Sequence, residues 1–313
     1  FMSAPFDKSW AFDKSYYHHS NPSKPICATL YDKCVMRVAI NHAWKVIKGE
    51  AAGDVDAAWG IVKFYANDNA NMQGGKIAQT CSDLVLLHGH TYEAALRHGI
   101  SLLDSYKPRT WDDGKDERKL AVNRDDFAGV LENAIEGVQE AHKYYGLNRI
   151  EGESEILVNL NGLELPYSGF PDYSRRIELK TKWSTLDKRS KTGKKSASLP
   201  SQPDWSHVQQ VAGYWAGTGL MQTIVYARKT PDKKDAVGYR IFNEDNCEML
   251  TQAGLQSALN FITAKCAIRE NLLKSTDSVE AMLRLIEPDF KHMWAWDYSP
   301  EVLSEAKQLW GFK

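Results

Sequence analysis

The segment Gly169-Phe-Pro-Asp172-Tyr-Ser-Arg-Arg-Ile-Glu178-Leu-Lys180-Thr181 sets two acids and a lysine within nine residues of a stretch that otherwise reads as β-structure. Residues i and i+2 of a strand share a face. Glu178 and Lys180 therefore project together, and Ile177 and Leu179 project the other way, into a core. Asp172 comes before the short bend at 174–176 and can reach the same spot. Acid-X-basic triplets are common on solvated strand faces, so the flanking pattern decides what this one means. Residues 154–160 alternate or run apolar, and Asn161-Gly162 is a two-residue hairpin signal. Residues 163–173 then read as a return strand and 177–183 as a third, which puts the acids on neighbouring strands of a meander. Paired carboxylates suit a hard divalent cation, magnesium or manganese. Such a cation polarises a phosphodiester and generates hydroxide from bound water. A lysine beside it positions that water or stabilises the developing charge.

A second element lies downstream, Gln210-Val-Ala-Gly-Tyr214, within His207-Val-Gln-Gln-Val-Ala-Gly-Tyr-Trp-Ala. An i, i+4 pair shares one helical face, so both side chains can reach toward a sheet edge. In isolation the pair also reads as an amphipathic helix with a core tyrosine.

At this order and distance, Pro171-Asp172, Glu178-Leu-Lys180 and Gln210-X-X-X-Tyr214 resemble the PD-(D/E)XK nuclease superfamily. Within it they resemble the RecB-like exonucleases, the branch of the mitochondrial genome-maintenance exonuclease, CRISPR-associated exonucleases and phage enzymes of the lambda-exonuclease type. The resemblance spans roughly residues 80–245. It implies an α/β (α+β) fold with a restriction-endonuclease-like core, a mixed central sheet flanked by helices, and an N-terminal helical lobe. It implies a magnesium- or manganese-dependent DNA exonuclease, serving phage-type DNA degradation, recombination or replication. Asp172, Glu178 and the carbonyl of Leu179 would hold one ion, and Lys180 would position the attacking water. Gln210 and Tyr214 would orient the lysine and the scissile phosphate, the tyrosine contacting the nucleic acid. Relatives carry Gly-X-X-X-His or Gly-X-X-X-Glu on an earlier helix. Gly89-His-Thr-Tyr-Glu93 fits the glutamate version, with Glu93 as a further metal ligand, His90 as the alternative, and His88 and His98 nearby. A polar helix face explains Glu93 equally well. Some relatives hold an iron–sulfur cluster on three closely spaced cysteines and one upstream. Cys27, Cys34, Cys81, Cys247 and Cys266 are too scattered for that, and no cluster is expected.

The odd cysteine count without a Cys-X-X-Cys pair favours a reducing compartment. A cytoplasmic location follows, the host cytoplasm for a viral protein. No apolar run approaches the roughly eighteen residues a bilayer requires, and no signal peptide or membrane partner is expected. A net charge of −1 argues against a protein that coats DNA and leaves room for a basic channel. DNA, single- or double-stranded, is the expected partner. Rings and monomers both occur among relatives, so a homo-oligomer is possible.

Along the chain, residues 1–25 read as an arm in which Phe6-Asp-Lys-Ser-Trp10 is echoed by Phe12-Asp-Lys-Ser-Tyr16. Residues 26–150 read as a helical lobe contributing to the site. Its helical patterns cover 27–48, 55–66 and 78–106, with Gly89 and Gly99 as possible breaks. A charged loop over 107–126 and a helix from Phe127 to Tyr145, ended by Gly146, complete it. Residues 151–245 read as the nuclease core, with further strands at 223–227 and 238–242. Residues 246–313 read as helical, with a helix start at Ser299-Pro300-Glu301. Residues 26–313 are expected to form one compact domain. The linker 184–204 carries Lys188, Arg189, Lys191, Lys194 and Lys195 and follows Lys180 and Lys182 directly. It is either a solvated loop or a phosphate clamp that orders on binding. Trp205 at its end can stack on a base or start a helix buried, and His207 stands beside it. Two rivals remain open: a structure-selective endonuclease of the same chemistry, and a nucleic-acid-binding module that has lost the chemistry. The complete acid–acid–lysine set argues against the second.

Overall fold

Asn69 starts the first helix of the described chain, α1 (Ala70–Leu86), by accepting the Met72 N–H at 3.0 Å. The computed structural model describes residues 69–108, 114–164, 166–187 and 193–275, with Tyr17–His18 and a few positions between 46 and 55. The readings for the rest of the arm, the two earliest helices, Lys188, Arg189, Lys191 and Ser299-Pro300-Glu301 lie outside the described residues. Two compact units emerge, one of residues 68–157 and 169–259, the other of 1–67, 158–168 and 260–313.

Among the described elements, three helices precede the acids. After α1 the chain turns at Gly89 (φ +68°), and Thr91 caps α2 (Tyr92–Ser105) through the Ala94 N–H at 3.2 Å. Gly99 does not break α2: it lets Phe127 in, and a Cβ there would stand 2.3 Å from that ring. Helix α3 (Lys115–Tyr144) begins well before Phe127, so most of the expected loop is helical. The reason is polar residues turned inward. Asp116 accepts the Ala70 N–H at 2.8 Å, Asn123 donates to the Ala70 carbonyl at 2.9 Å, and Asp126 accepts the Ser184 N–H at 3.1 Å. At the far end Gly146 (φ +60°) returns its N–H to the Lys143 carbonyl at 2.9 Å.

Among the described residues the strands are β1 (Tyr17–His18), β2 (Ile156–Val158), β3 (Tyr167–Gly169), β4 (Ile177–Lys182), β5 (Thr185–Leu186), β6 (Lys194–Lys195), β7 (Thr223–Arg228) and β8 (Tyr239–Phe242). Helix α4 (Trp205–Thr218) ends at Gly219 (φ +68°), and α5 (Gln252–Ser275) closes the described chain. The central sheet runs β4–β7–β8, with β4 parallel to β7 and β8 antiparallel to it. Val225 and Ala227 of β7 pack with Ile177 and Leu179 against Ala134, Val138 and Ala141 of α3. Ile224 and Tyr226 face the other way, onto Val208, Val211 and Ala212 of α4 and Leu255 at the start of α5. The result is a mixed α+β arrangement, a sheet buried between helices.

The expected meander is absent from this sheet. Strands β2 and β3 are short and are not members of it, and Asp172 sits on an irregular segment just before β4. One edge of β4 is taken by β7. At the other, Tyr173 and Ile177 exchange both backbone hydrogen bonds, at 3.0 and 2.9 Å, across the 174–176 turn. The expected basic loop is in part a hairpin, with Thr185 opposite Lys195 and Leu186 opposite Lys194. In the second unit, β1 pairs in parallel with β3, and Glu270 of α5 accepts the Glu164 N–H at 3.0 Å. No helix among the described residues is long and apolar enough to cross a membrane.

Substituting Gly99→Ala is expected to destabilise the protein. Overpacking a buried ring costs about 1–3 kcal/mol, which exceeds the helix-propensity gain of about 1 kcal/mol. Urea denaturation at equal protein concentration measures it, and an unchanged midpoint would contradict the packing described.

Candidate active site

The outer edge of β4 organises the site. In an extended chain the N–H and C=O of one residue point to the same side. Ile177 turns both toward Tyr173, so Leu179, two residues on, turns both the same way. Its N–H donates to Asp172 Oδ2 at 2.7 Å, and its carbonyl therefore faces the Asp172 side of the strand. Asp172 Oδ1 accepts from Gln79 Nε2 of α1 at 2.8 Å. Helix α1 comes close enough because Gly75, one turn earlier, has no side chain: a Cβ there would meet Thr181 Oγ1 at 3.2 Å.

Glu178 and Lys180 project from the opposite face to Ile177 and Leu179, as period two requires, and meet α4. Lys180 Nζ donates to Glu178 Oε1 at 2.5 Å and to Gln210 Oε1 at 2.9 Å. Gln210 Nε2 donates to the same Glu178 oxygen at 2.7 Å and to Tyr214 Oη at 2.6 Å. Tyr214 Oη in turn donates to the Phe170 carbonyl at 3.1 Å. Tyr214 has no exposed surface. It acts on the site through Gln210, and the direct nucleic-acid contact implied by the resemblance does not match its burial. Gly169 makes room for its ring, since a Cβ there would lie 2.3 Å from Tyr214 Cε1.

The electrostatics are unbalanced. The Asp172 carboxyl is pushed well above the ordinary range, first by burial and then by Glu178, against the pull of Lys180 and the Leu179 N–H. Burial also pushes Glu178 up, opposed by Lys180 and Gln210. The exposed Glu153 raises both. It lies on a segment tied to the turn after Asp172, with Ser174 N–H donating to the Glu151 carbonyl at 2.9 Å. Asp83, one turn beyond Gln79 on α1, is raised by burial and again by Glu153. The side chain of Glu178 is only 4% exposed, yet its Oε2 has no hydrogen-bond partner. A buried bare carboxylate oxygen among acids is what a divalent cation would satisfy. Among the described residues no three His, Cys, Asp or Glu side chains converge tightly enough to enclose an ion. Magnesium usually keeps several waters and takes one or two carboxylates, so Asp172, Glu178 and the Leu179 carbonyl fit it.

The remaining sequence expectations divide. Glu93 is exposed in the first turn of α2, where with Glu132 it acts on Tyr92, and it is not brought to Asp172. Gly89 lies in the turn ahead of α2, so the Gly-X-X-X-Glu spacing does not sit on one helix, and α2 packs on α1 and α3. His88 and His90 are exposed in the same turn and His98 is exposed on α2. The helix residue that meets Asp172 is Gln79, in Gly75-Lys-Ile-Ala-Gln79, which shows the same spacing. Lys182 is held by Asp204 at 3.1 Å and lies over the Tyr226 ring at 5.1 Å. Lys194 is 3.4 Å from Asp125, Lys195 is exposed, and Trp205 is exposed at the start of α4. His207 bonds Tyr226 Oη through Nδ1 at 2.6 Å.

No family model and no curated protein matches the chain. Among solved structures the chain is similar to the crystal structure of SSO0001, at 14% identity and a TM-score of 0.24, over 64% of this chain and 98% of that one. A likeness at that level carries no weight for fold or function.

Two outcomes test this geometry. In the cation-free protein the native pKa values of Asp172 and Glu178 lie above those of the unfolded chain. Their stabilising contribution is therefore present at acid pH and lost as pH rises through the native values. Asp172→Asn keeps an acceptor for Leu179 and should raise the melting temperature at pH 7 by about 2–4 °C, as about 1 kcal/mol does in a chain of this size. The gain should vanish below about pH 4, and thermal melts across pH in chelator show whether it does. Gly169→Ala displaces Tyr214, so it should lower stability by about 1–3 kcal/mol and disturb Gln210; a wild-type urea midpoint would refute the contact.

Proposed function

We propose that the chain is a metal-dependent DNA exonuclease built on a PD-(D/E)XK core of the RecB-like type. One observation carries the reading. Asp172, Glu178 and Lys180 converge at the open edge of one strand, with Gln210 bridging the last two and a buried carboxylate oxygen left bare. The parallel pairing of β4 with β7 and the stacking of α4 on the Glu178–Lys180 face are consistent with that core.

Asp172, Glu178 and the Leu179 carbonyl would hold magnesium or manganese, which when bound supplies Lewis-acid stabilisation of the phosphate and a water acidic enough to attack. Gln79 fixes the Asp172 carboxylate through Oδ1, and the Leu179 N–H fixes it through Oδ2. The Gln210 carboxamide orients Lys180 and Glu178 together and is itself aligned by Tyr214. Lys180 is 21% exposed, so its ammonium can turn from Glu178 toward an incoming phosphate or water. Lys182 and Lys195 supply positive charge near the path of the strand. Hydrolysis at this site leaves a 5′-phosphate on the released nucleotide or short oligonucleotide.

The test is a magnesium-dependent digestion of end-labelled linear DNA, single- and double-stranded, beside circular single-stranded DNA. Linear substrates should be degraded and circles left intact. Cleaved circles would make the chain an endonuclease, and binding without cleavage in either metal would make it a silent module. Asp172→Ala, Glu178→Ala and Lys180→Ala should each lower turnover by at least about 10²–10³-fold, with a folded circular-dichroism spectrum. Near-wild-type turnover of any of the three would show that the site is elsewhere. Gln79→Ala should weaken the magnesium dependence of cleavage by about 10–100-fold, the usual effect of removing a group that holds a metal ligand.

A further inference from the structure

Beside Lys180 a second polar cluster is built on the same sheet face. His207, in the first turn of α4, places Nδ1 2.6 Å from Tyr226 Oη. The same oxygen accepts the Asp204 N–H at 3.0 Å. Tyr226 has no exposed surface, and burial pushes its phenol up, so it keeps its proton. A hydroxyl has one proton to give. With a lone pair taken by Asp204, that proton goes to His207 Nδ1. The reverse arrangement, with Nδ1–H donating, would bury a phenolic O–H without an acceptor. The Asp204 carboxylate does not compete: it is 3.5 Å from Nδ1 and is engaged by Lys182 at 3.1 Å. Nδ1 is therefore an acceptor, and the proton of the neutral ring is on Nε2.

The ring stays neutral near pH 7, because burial and the charges of Lys180 and Lys182 push it down to about 3. Its side chain remains 23% exposed. Nε2 has no acceptor among the described residues and is not among the buried unpartnered atoms. The chain thus presents one uncharged N–H donor of fixed tautomer to solvent, within the field of two lysines that draw anions there.

We infer that His207 is a substrate contact, its Nε2–H donating to a phosphate oxygen of the nucleic-acid strand seated at Lys180, with Tyr226 as the positioning residue that keeps the proton on that nitrogen. The inference rests on the proposed nuclease reading. It also gives the cluster a purpose. Lys180 and Lys182 are already tied to Glu178 and Asp204, so a neutral directional donor adds register without further charge.

The experiment uses the full chain, magnesium and a 5′-end-labelled single-stranded oligonucleotide. His207→Ala should lower kcat/KM by about 10–100-fold, the effect of a hydrogen bond to a charged group. His207→Gln places an amide N–H where Nε2 stood and should recover most of that loss. His207→Asn mimics Nδ1 and should not. Tyr226→Phe should lower kcat/KM in the wild-type background and add nothing in the His207→Ala background, as coupled residues do. Nitrogen-15 imidazole spectra at pH 7 should show the Nε2–H tautomer in the wild type and a mixture in Tyr226→Phe. A wild type that cleaves while His207→Ala stays within twofold of it overturns the inference and leaves the nuclease reading intact. An Nδ1–H tautomer or an imidazolium overturns it on structural grounds alone. A wild type that cleaves nothing overturns the nuclease reading, and the substrate contact with it.

Discussion

The outer edge of β4 is the constraint on which the site depends. A strand edge presents unpaired N–H and C=O groups that must find partners when buried. β4 meets this without a neighbouring strand. Ile177 is satisfied by the Tyr173 backbone across a tight turn, and the Leu179 N–H is satisfied by the carboxylate of Asp172. The acid thus closes a gap in the sheet. Because Leu179 turns both its polar groups to that side, closing the gap also brings its carbonyl to the same acid. The buried strand β7 and the helices on both faces, α3 and α4, hold β4 rigid enough for this to be maintained.

The second consequence is a surplus of negative charge. Glu178 shares Lys180 with Gln210, and among the described residues the donors to Asp172 are neutral, Gln79 and the Leu179 N–H. Burying carboxylates this way is unfavourable unless something cationic arrives, and Glu153 deepens the deficit. On the same sheet face the balance reverses: burial first, then the charges of Lys180 and Lys182, push the His207 imidazole down. Buried carboxylates short of counter-charge and a neutral imidazole beside lysines therefore adjoin along β4, with Lys180 between them.

Much of this was legible in the sequence wherever a period fixes a face. Period two places Glu178 and Lys180 together whatever surrounds them, and the i, i+4 spacing places Gln210 and Tyr214 together. The strands at 223–227 and 238–242 were legible because they are apolar and bounded by turn residues. What failed depended on partners distant in sequence. Residues 115–126 read as a loop because Asp116, Asn123 and Asp126 are polar, yet each is turned inward to cap or brace another segment. The meander failed because the edge of β4 is filled by a carboxylate and a turn, which carry no strand pattern. The Gly89–Glu93 spacing brings no acid to the site because Gly89 serves an interhelical turn, a role that spacing cannot distinguish from close packing. Gly75 and Gln79 show the same spacing with a neutral side chain, and attention to acids alone passes over them.

The amide at position 79 matters for the balance described above. A carboxylate there would set a second negative charge against Asp172, and burial would force one of the two to take up a proton. An amide instead donates through Nε2 to Asp172 Oδ1 at 2.8 Å, lowering the cost of keeping that acid ionised. With the Leu179 N–H on Oδ2, it fixes both Asp172 oxygens from within the protein. Glu178 Oε2 is left bare by contrast. The two acids are thus prepared differently: Asp172 is held in place by the fold, and Glu178 keeps one oxygen free. An ion entering this site would find its first ligand already oriented, and would relieve most strongly the second.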